Sequence, residues 1–423
     1  MKPYLALLYI WEYDTALPRR HMHREWRSEE PSKEKEEENV LILQGGGSLG
    51  AYECGVCKAF ANHDIEFDII GGTSIGAANA AILTAGKYPK ENEKQGGSYY
   101  HQYQESSNKF RDKVKILEDF WLYIAEENFG NWIFPMMSDL MLPPHPSTDE
   151  ARMMVSSMRT LALGNPKVAI PRWFIPWSPD YFTPWKWPYL YDTSPLRDTL
   201  AKYVNFSLLG PTTAANLSAT GQTNTYNNIS NNDEIRKPAK IPRLIMTATD
   251  IQSGQSKIFD SDTMHIDAST IAGCCGYPFY GMSWAESNGK YLWDGSLLRN
   301  TILLSIFEAS PYRPKKVYVA NVFPKVQQEM PSNMLQILHR ARDILFEDKT
   351  SEIHESLLTH ISDLISLLDQ MNQFLKSDLL SDIIAKNNKN NELQEQLNKL
   401  RKQYNNVTAK RGALIKSLVR VQR

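Results

Sequence analysis

The chain has 423 residues, 42% of them hydrophobic, with 47 Lys and Arg against 48 Asp and Glu for a formal net charge of −1. That is enough apolar material for one large domain plus appendages, and the balanced charge argues against wholesale nucleic-acid binding. Four cysteines (Cys54, Cys57, Cys274 and Cys275) are too few for a disulfide framework and point to a reducing, cytoplasmic setting, and no apolar run is long enough to span a bilayer.

In chain order, residues 4–11 form an apolar run that is short for a signal-peptide core and lacks a small-residue cleavage site, since Glu12 and Asp14 follow it. A charge-rich stretch at 28–39 (SEEPSKEKEEEN) reads as a solvated linker, so residues 1–39 are an N-terminal extension and the folded domain begins at Val40. Val40-Leu41-Ile42-Leu43-Gln44 reads as a strand feeding Gly45-Gly46-Gly47-Ser48-Leu49-Gly50 and then a helix to about Asn62. Gly45, Gly47 and Gly50 satisfy G-x-G-x-x-G, but a dinucleotide site expects an acidic residue closing the second strand. Here that strand, 67–70, closes on Gly71-Gly72 and passes into Ser74. The better use of the glycine loop is to offer backbone N–H groups to an anion. Cys54 and Cys57 form C-x-x-C on the following helix, with no second pair at zinc-ligand spacing, and read as small core residues.

Gly72-Thr73-Ser74-Ile75-Gly76, between an apolar run and an alanine-rich helical stretch, has the nucleophile-elbow pattern. Its flanking glycines, Gly72 and Gly76, allow a turn sharp enough to hold Ser74 at a helix N-terminus, where developing negative charge is stabilised. The bland alternative is a small-residue turn capped by Ser74.

Further along, helices are expected at 110–129, at 147–163 behind a capping sequence, and at 193–206. Residues 171–191 interleave prolines with four tryptophans, which denies them both a regular element and disorder. They read as a loop packed over the core, or as a lipid-facing rim. After a polar loop at 212–233 come a strand at 243–250 with a partner at 257–259, and a short helix at 267–275. A strand at 291–293 then ends in Asp294-Gly295-Ser296, followed by a helix at 300–309 and a last core strand at 316–322.

GGGSLGAYE, GGTSIG, DASTIAGCCGYP and WDGS appear here in the order and spacing of the patatin-like phospholipase family, and YDTSPLRDTLAKYVNF resembles its bacterial-type members. The resemblance covers a domain of residues 40–325. It implies an α/β fold, a three-layer α/β/α sandwich with a mainly parallel central sheet, and a serine lipid acyl hydrolase with a Ser–Asp dyad. On that resemblance Ser74 is the nucleophile, Asp294 its base, Gly45, Gly46 and Gly47 the oxyanion loop, and no metal or cofactor is required. Leu49 departs from the Arg or Lys common in the family, and Asp-Gly-Ser from the commoner Asp-Gly-Gly or Asp-Gly-Ala.

A Ser-acid-His triad would place its histidine after Asp294, where only His339, His354 and His360 occur, all in charged, helix-patterned sequence. His265 precedes Asp294, and none of the four occupies a recognisable strand-end loop. Residues 330–423 read as a C-terminal helical extension. Apolar residues recur at helical spacing around Ile361, Leu364 and Leu368, and a basic segment without acids follows Gln396. That segment suits either an anionic bilayer or a solvated helix face. The expected partner is a lipid or acyl ester met in the cytoplasm or peripherally at a membrane, with no nucleic acid. A non-catalytic lipid-binding protein and an acyltransferase are the alternatives on the same fold.

Overall fold

In the computed structural model, which describes residues 37–89, 109–126, 162–174, 182–211, 241–310, 315–347 and 417–422 with single helical positions at 160, 395, 399 and 402, the chain is built on an eight-stranded sheet. The strands are β1 (Glu38–Leu43), β2 (Ile69–Thr73), β3 (Ile170–Pro171), β4 (Tyr191–Asp192), β5 (Arg243–Asp250), β6 (Gln255–Asp260), β7 (Ala285–Ser287), β8 (Lys290–Asp294), β9 (Lys315–Asn321) and β10 (Ser417–Gln422). The helices are α1 (Gly50–Asn62), α2 (Ile75–Ala85), α3 (Phe110–Ala125), α4 (Ser194–Tyr203), α5 (Ala268–Cys275), α6 (Leu303–Ala309) and α7 (Met334–Phe346). The sheet runs β10-β9-β1-β2-β5-β8-β7, and β6 pairs with β5; β3 and β4 form a separate two-stranded antiparallel sheet.

Side chains alternate between two cores, as period-2 strands buried on both faces require. Leu41, Leu43, Ile70, Leu244 and Met246 face a large cluster shared with α1, α2, α3, α4 and α5. Val40, Ile42, Ile69, Ile245, Val317 and Val319 face a smaller one closed by Ile302, Leu303 and Ile306 of α6 and its lead-in. Helices therefore cover both faces of a mainly parallel sheet, the layered α/β arrangement the sequence predicts.

The parallel part ends at β5. Strand β2 pairs with β5 as far as Thr73 opposite Thr247. The next residue of β5, Ala248, is opposite Asp294 of β8, which runs antiparallel. Because β6 occupies Ile245 to Asp250 along the other edge, β2 and β8 must share one edge of β5 and meet end to end. Strand β8 is delivered by a β7–β8 hairpin whose Asn288 and Gly289 both have positive φ (51° and 68°). That is the turn chemistry a two-residue hairpin demands.

Two sequence expectations change at the C-terminal side. Ser417–Gln422 is not the end of a basic helix but a strand paired in parallel with β9. Val419 and Val421 alternate there with Arg420 and Gln422, as in a strand, although Leu393, Leu397 and Leu400 upstream have helical spacing. The region beyond 330 is thus not separate from the sheet. The expected helix at 300–309 is also shorter, beginning at Leu303. The expectations for 4–11, 28–36, most of 147–163, 175–181, 212–233 and 353–375 lie outside the described residues.

At the foot of β1 and β9 a fully buried Lys315 donates to Glu38 Oε2 at 2.9 Å, and Ser310 Oγ donates to the same oxygen at 3.0 Å. Removing Glu38 takes a close counter-ion from the buried Lys315 charge. Glu38→Ala should therefore lower unfolding stability in urea by about 3–5 kcal/mol, with much of the loss recovered when Lys315→Met is added.

Candidate active site

The elbow forms because nothing larger than hydrogen fits at its flanks. A Cβ on Gly72 would lie 2.1 Å from Gly76 O, and one on Gly76 would lie 2.4 Å from Leu43 O. The chain therefore turns from β2 straight into α2 and leaves Ser74 at φ 54°, ψ −130°, outside the regions open to most side chains. Cys275 on α5 secures the strained residue, its Sγ donating to Ser74 O at 3.1 Å.

At the facing strand end Asp294 is 1% exposed. Its Oδ2 accepts from Ser74 Oγ at 2.5 Å. Its Oδ1 accepts from Ser296 N at 2.8 Å and from Ser296 Oγ at 2.7 Å. The backbone is pinned on both sides, Asp294 N to Gly276 O at 3.1 Å and Asp294 O to Thr249 Oγ1 at 3.0 Å. The two residues singled out in the sequence, 220 positions apart, are in direct contact.

The glycine loop stands against the same serine. A Cβ on Gly45 would meet Ser74 Cβ at 2.8 Å, so the loop backbone lies directly beside Ser74. The three glycines are not equivalent, however. Gly45 N donates to Asn300 Oδ1 at 3.0 Å, which removes it from the donor set expected for the oxyanion. Gly46 and Gly47 remain, Gly47 at φ +58° with open space around its Cα.

Residues 41–306, more than half of the chain, match the patatin-like phospholipase family. The chain belongs to this family. A lysophospholipase, nte1, of Aspergillus terreus is 55% identical over 42 residues, 10% of this chain and 3% of that protein. Among solved structures, VipD of Legionella pneumophila is 14% identical with a TM-score of 0.29, over 81% of this chain and 56% of that one. The ExoU–SpcU complex of Pseudomonas aeruginosa gives 15% identity and a TM-score of 0.28, over 82% and 65%. The chain thus spans less than two thirds of each of these relatives.

Within this patatin-like site the Asp-Gly-Ser departure has a structural use, since the Ser296 hydroxyl adds a second donor to the carboxylate that Gly or Ala could not supply. Leu49 packs over Gly46, within 3.1 Å of where a Cβ would lie. His265 and His339 are exposed, and among the described residues no histidine contacts Ser74 or Asp294. No group of three or more His, Cys, Asp or Glu side chains among the described residues is placed to hold a metal ion.

Several supporting residues carry no sequence signal of their own. Gln44 is fully buried, donating to Thr301 Oγ1 at 2.8 Å and accepting from Val322 N at 3.0 Å, so it ties the loop's root to the lead-in of α6 and to the end of β9. Glu53 is buried behind the loop and accepts from Asn79 Nδ2 at 2.8 Å. Asn79 in turn accepts from Trp121 Nε1 at 3.1 Å, which locks α1, α2 and α3 together. Cys54 and Cys57 are free and buried in α1, as core residues, and burial pushes the Cys54 thiol up to about 12.

Burial also pushes the Asp294 carboxyl up from 3.8 to about 6, against the hydrogen bonds from Ser74 and Ser296, which pull it down. Between about pH 4 and pH 6 the folded state then binds more protons here than the unfolded chain, and this contribution to stability is lost as pH rises through about 6. At neutral pH the ionised carboxylate costs the fold about 3 kcal/mol. Asp294→Asn should unfold at higher urea than wild type at pH 7.5, with the difference shrinking toward pH 4.

Proposed function

We propose that this protein is a serine acyl hydrolase of phospholipase A or esterase type, acting on carboxylic esters of glycerolipids through a dyad of Ser74 and Asp294. The observation that carries the reading is the buried 2.5 Å contact between Ser74 Oγ and Asp294 Oδ2. A carboxylate of ordinary pKa is a weak base toward a serine hydroxyl, and desolvation corrects the mismatch by raising Asp294 to about 6.

Ser74 Oγ attacks the ester carbonyl carbon as its proton passes to Asp294 Oδ2. The carbonyl oxygen becomes an oxyanion held by the N–H groups of Gly46 and Gly47 and by the N-terminus of α2. Collapse breaks the bond to the alcohol oxygen, which leaves with the proton from Asp294. Water then attacks the acyl–Ser74 ester, Asp294 takes its proton and returns it to Ser74 Oγ, and the fatty acid departs. An acyltransferase would differ only in replacing that water by another alcohol. An intact, buried dyad has no use in a protein that merely binds lipid.

An aromatic rim borders the site. The turn at 278–280 follows Gly276, which pins Asp294, and Gly281 O accepts from Leu190 N and Tyr191 N at 2.7 and 2.9 Å. This joins the turn to the proline- and tryptophan-containing segment, where Phe182 and Trp185 are 83% and 78% exposed; Phe279 on the turn is 82% exposed. Exposed Trp and Phe beside Lys186 fit the boundary between acyl chains and headgroups, so the protein approaches a bilayer peripherally. Among the described residues no helix is long and apolar enough to cross a membrane.

A fluorophosphonate probe should label wild type and not Ser74→Ala, and Ser74→Ala and Asp294→Asn should each lose at least about 1,000-fold in kcat/KM on p-nitrophenyl esters. His265→Ala and His339→Ala should stay within about twofold, and kcat/KM should rise with pH through about 6. Full hydrolysis by Asp294→Asn would rule out the dyad.

A Phe182→Ser, Trp185→Ser, Phe279→Ser triple variant should lose about tenfold or more in binding to phospholipid vesicles, measured by sedimentation. Its turnover of soluble short-chain esters should be unchanged.

A further inference from the structure

We propose that Asn300 is a positioning residue that couples the oxyanion loop to the C-terminal end of α7, so that α7 is part of the active-site machinery; this rests on the hydrolase reading above. Asn300 is buried at 8% exposure and uses both ends of its amide. Oδ1 accepts from Gly45 N at 3.0 Å, and Nδ2 donates to Phe346 O at 2.9 Å. Gly45 is held tightly against Asn300 and Ser74, since a Cβ there would meet Asn300 Oδ1 at 2.7 Å and Ser74 Cβ at 2.8 Å.

The amide takes up the Gly45 N–H and so fixes the peptide plane from which the rest of the loop follows. An oxyanion donor acts only if it is aimed at the position the charged oxygen will occupy, and aim is lost by small rotations of the backbone. Asn300 is itself fixed from two directions. Along the chain it follows the turn at Asp294-Gly295-Ser296, and across space it hangs from Phe346 O, one of the carbonyls at a helix C-terminus that has no partner within the helix.

The end of α7 is in turn anchored at the catalytic edge of the sheet. The Phe346 ring meets Tyr277 at 5.5 Å and Phe323 at 5.4 Å between centroids. Arg340 donates to Pro324 O and Lys325 O at 3.0 and 2.8 Å, just past β9. Tyr277 follows Gly276, whose carbonyl holds Asp294 N. One end of α7 thus contacts the supports of both the oxyanion loop and the general base.

The test compares wild type, Asn300→Ala, Phe346→Leu and the double variant in the full chain. Phe346→Leu keeps apolar bulk while losing both ring contacts, and it remains informative if Asn300→Ala folds poorly. With p-nitrophenyl butyrate, Asn300→Ala should lower kcat about 10- to 100-fold with KM within about threefold, and leave the rise of kcat/KM near pH 6 in place. Phe346→Leu should show a smaller loss of the same kind. The double variant should be no worse than Asn300→Ala, because the two act through one tether.

Hydrogen exchange over residues 44–50, read by mass spectrometry without any substrate, should quicken in both single variants and not in Ser74→Ala. Unchanged exchange in Asn300→Ala, a kcat within threefold of wild type, or strictly additive losses in the double variant would overturn the coupling. Quickened exchange in both single variants, together with no ester hydrolysis by wild type, would remove the hydrolase reading and leave the tether in place.

Discussion

The site depends on forcing an ionisable carboxyl into a dry place and giving it a serine hydroxyl as its neighbour. The sheet imposes this through register. Strand β5 offers one edge to two strands of opposite direction, and β2 stops where β8 stops, so residue 74 and residue 294 are delivered to the same point of that edge. Neither side chain has to reach. The desolvation that raises the Asp294 carboxyl follows from the same arrangement, because the meeting point is covered by α2 and α5 and Asp294 is left 1% exposed.

Stability and chemistry oppose each other at that point. A buried carboxylate and a serine in a left-handed backbone conformation both cost the fold, and the surrounding hydrogen bonds over-determine them: Cys275 on the serine backbone, Gly276 and Thr249 on the aspartate backbone, Ser296 on the carboxylate. Each of these contacts is ordinary by itself. Together they hold a geometry that neither residue would adopt alone, which is the usual way strain persists at functional sites.

Much of this was legible in the sequence. The run Val40 to Gln44, the glycine loop and the Gly72 to Gly76 elbow announce themselves because apolar periodicity and obligate glycines act over a few residues. Asp294 was legible as a strand-end aspartate, but its pairing with Ser74 came only from the family resemblance, since the antiparallel arrival of β8 depends on long-range pairing that leaves no local trace. The loss of Gly45 from the oxyanion donors was hidden for the same reason: Asn300 lies 255 residues away and looks like any polar residue before a helix. At the far end, the helical spacing of apolar residues suggested a helix that would run on to the end, whereas Ser417 to Gln422 pair with β9, because a six-residue strand leaves too short a pattern to override its neighbours.

The hairpin that delivers Asp294 makes the active site sensitive to parity. Successive residues of a strand point to opposite faces, so the carboxylate reaches the serine only while the number of residues between the Asn288-Gly289 turn and position 294 keeps its present count. One residue added within β8 would turn Asp294 toward the α6 side and present its neighbour to Ser74. Two would restore the facing but carry the carboxylate past the end of β2. Length variation among relatives of this fold should therefore gather in the loops that flank the sheet and avoid this short strand. On the proposed mechanism, a chain in which β8 has changed length by one would lose the reaction even with every residue of the Asp-Gly motif still present.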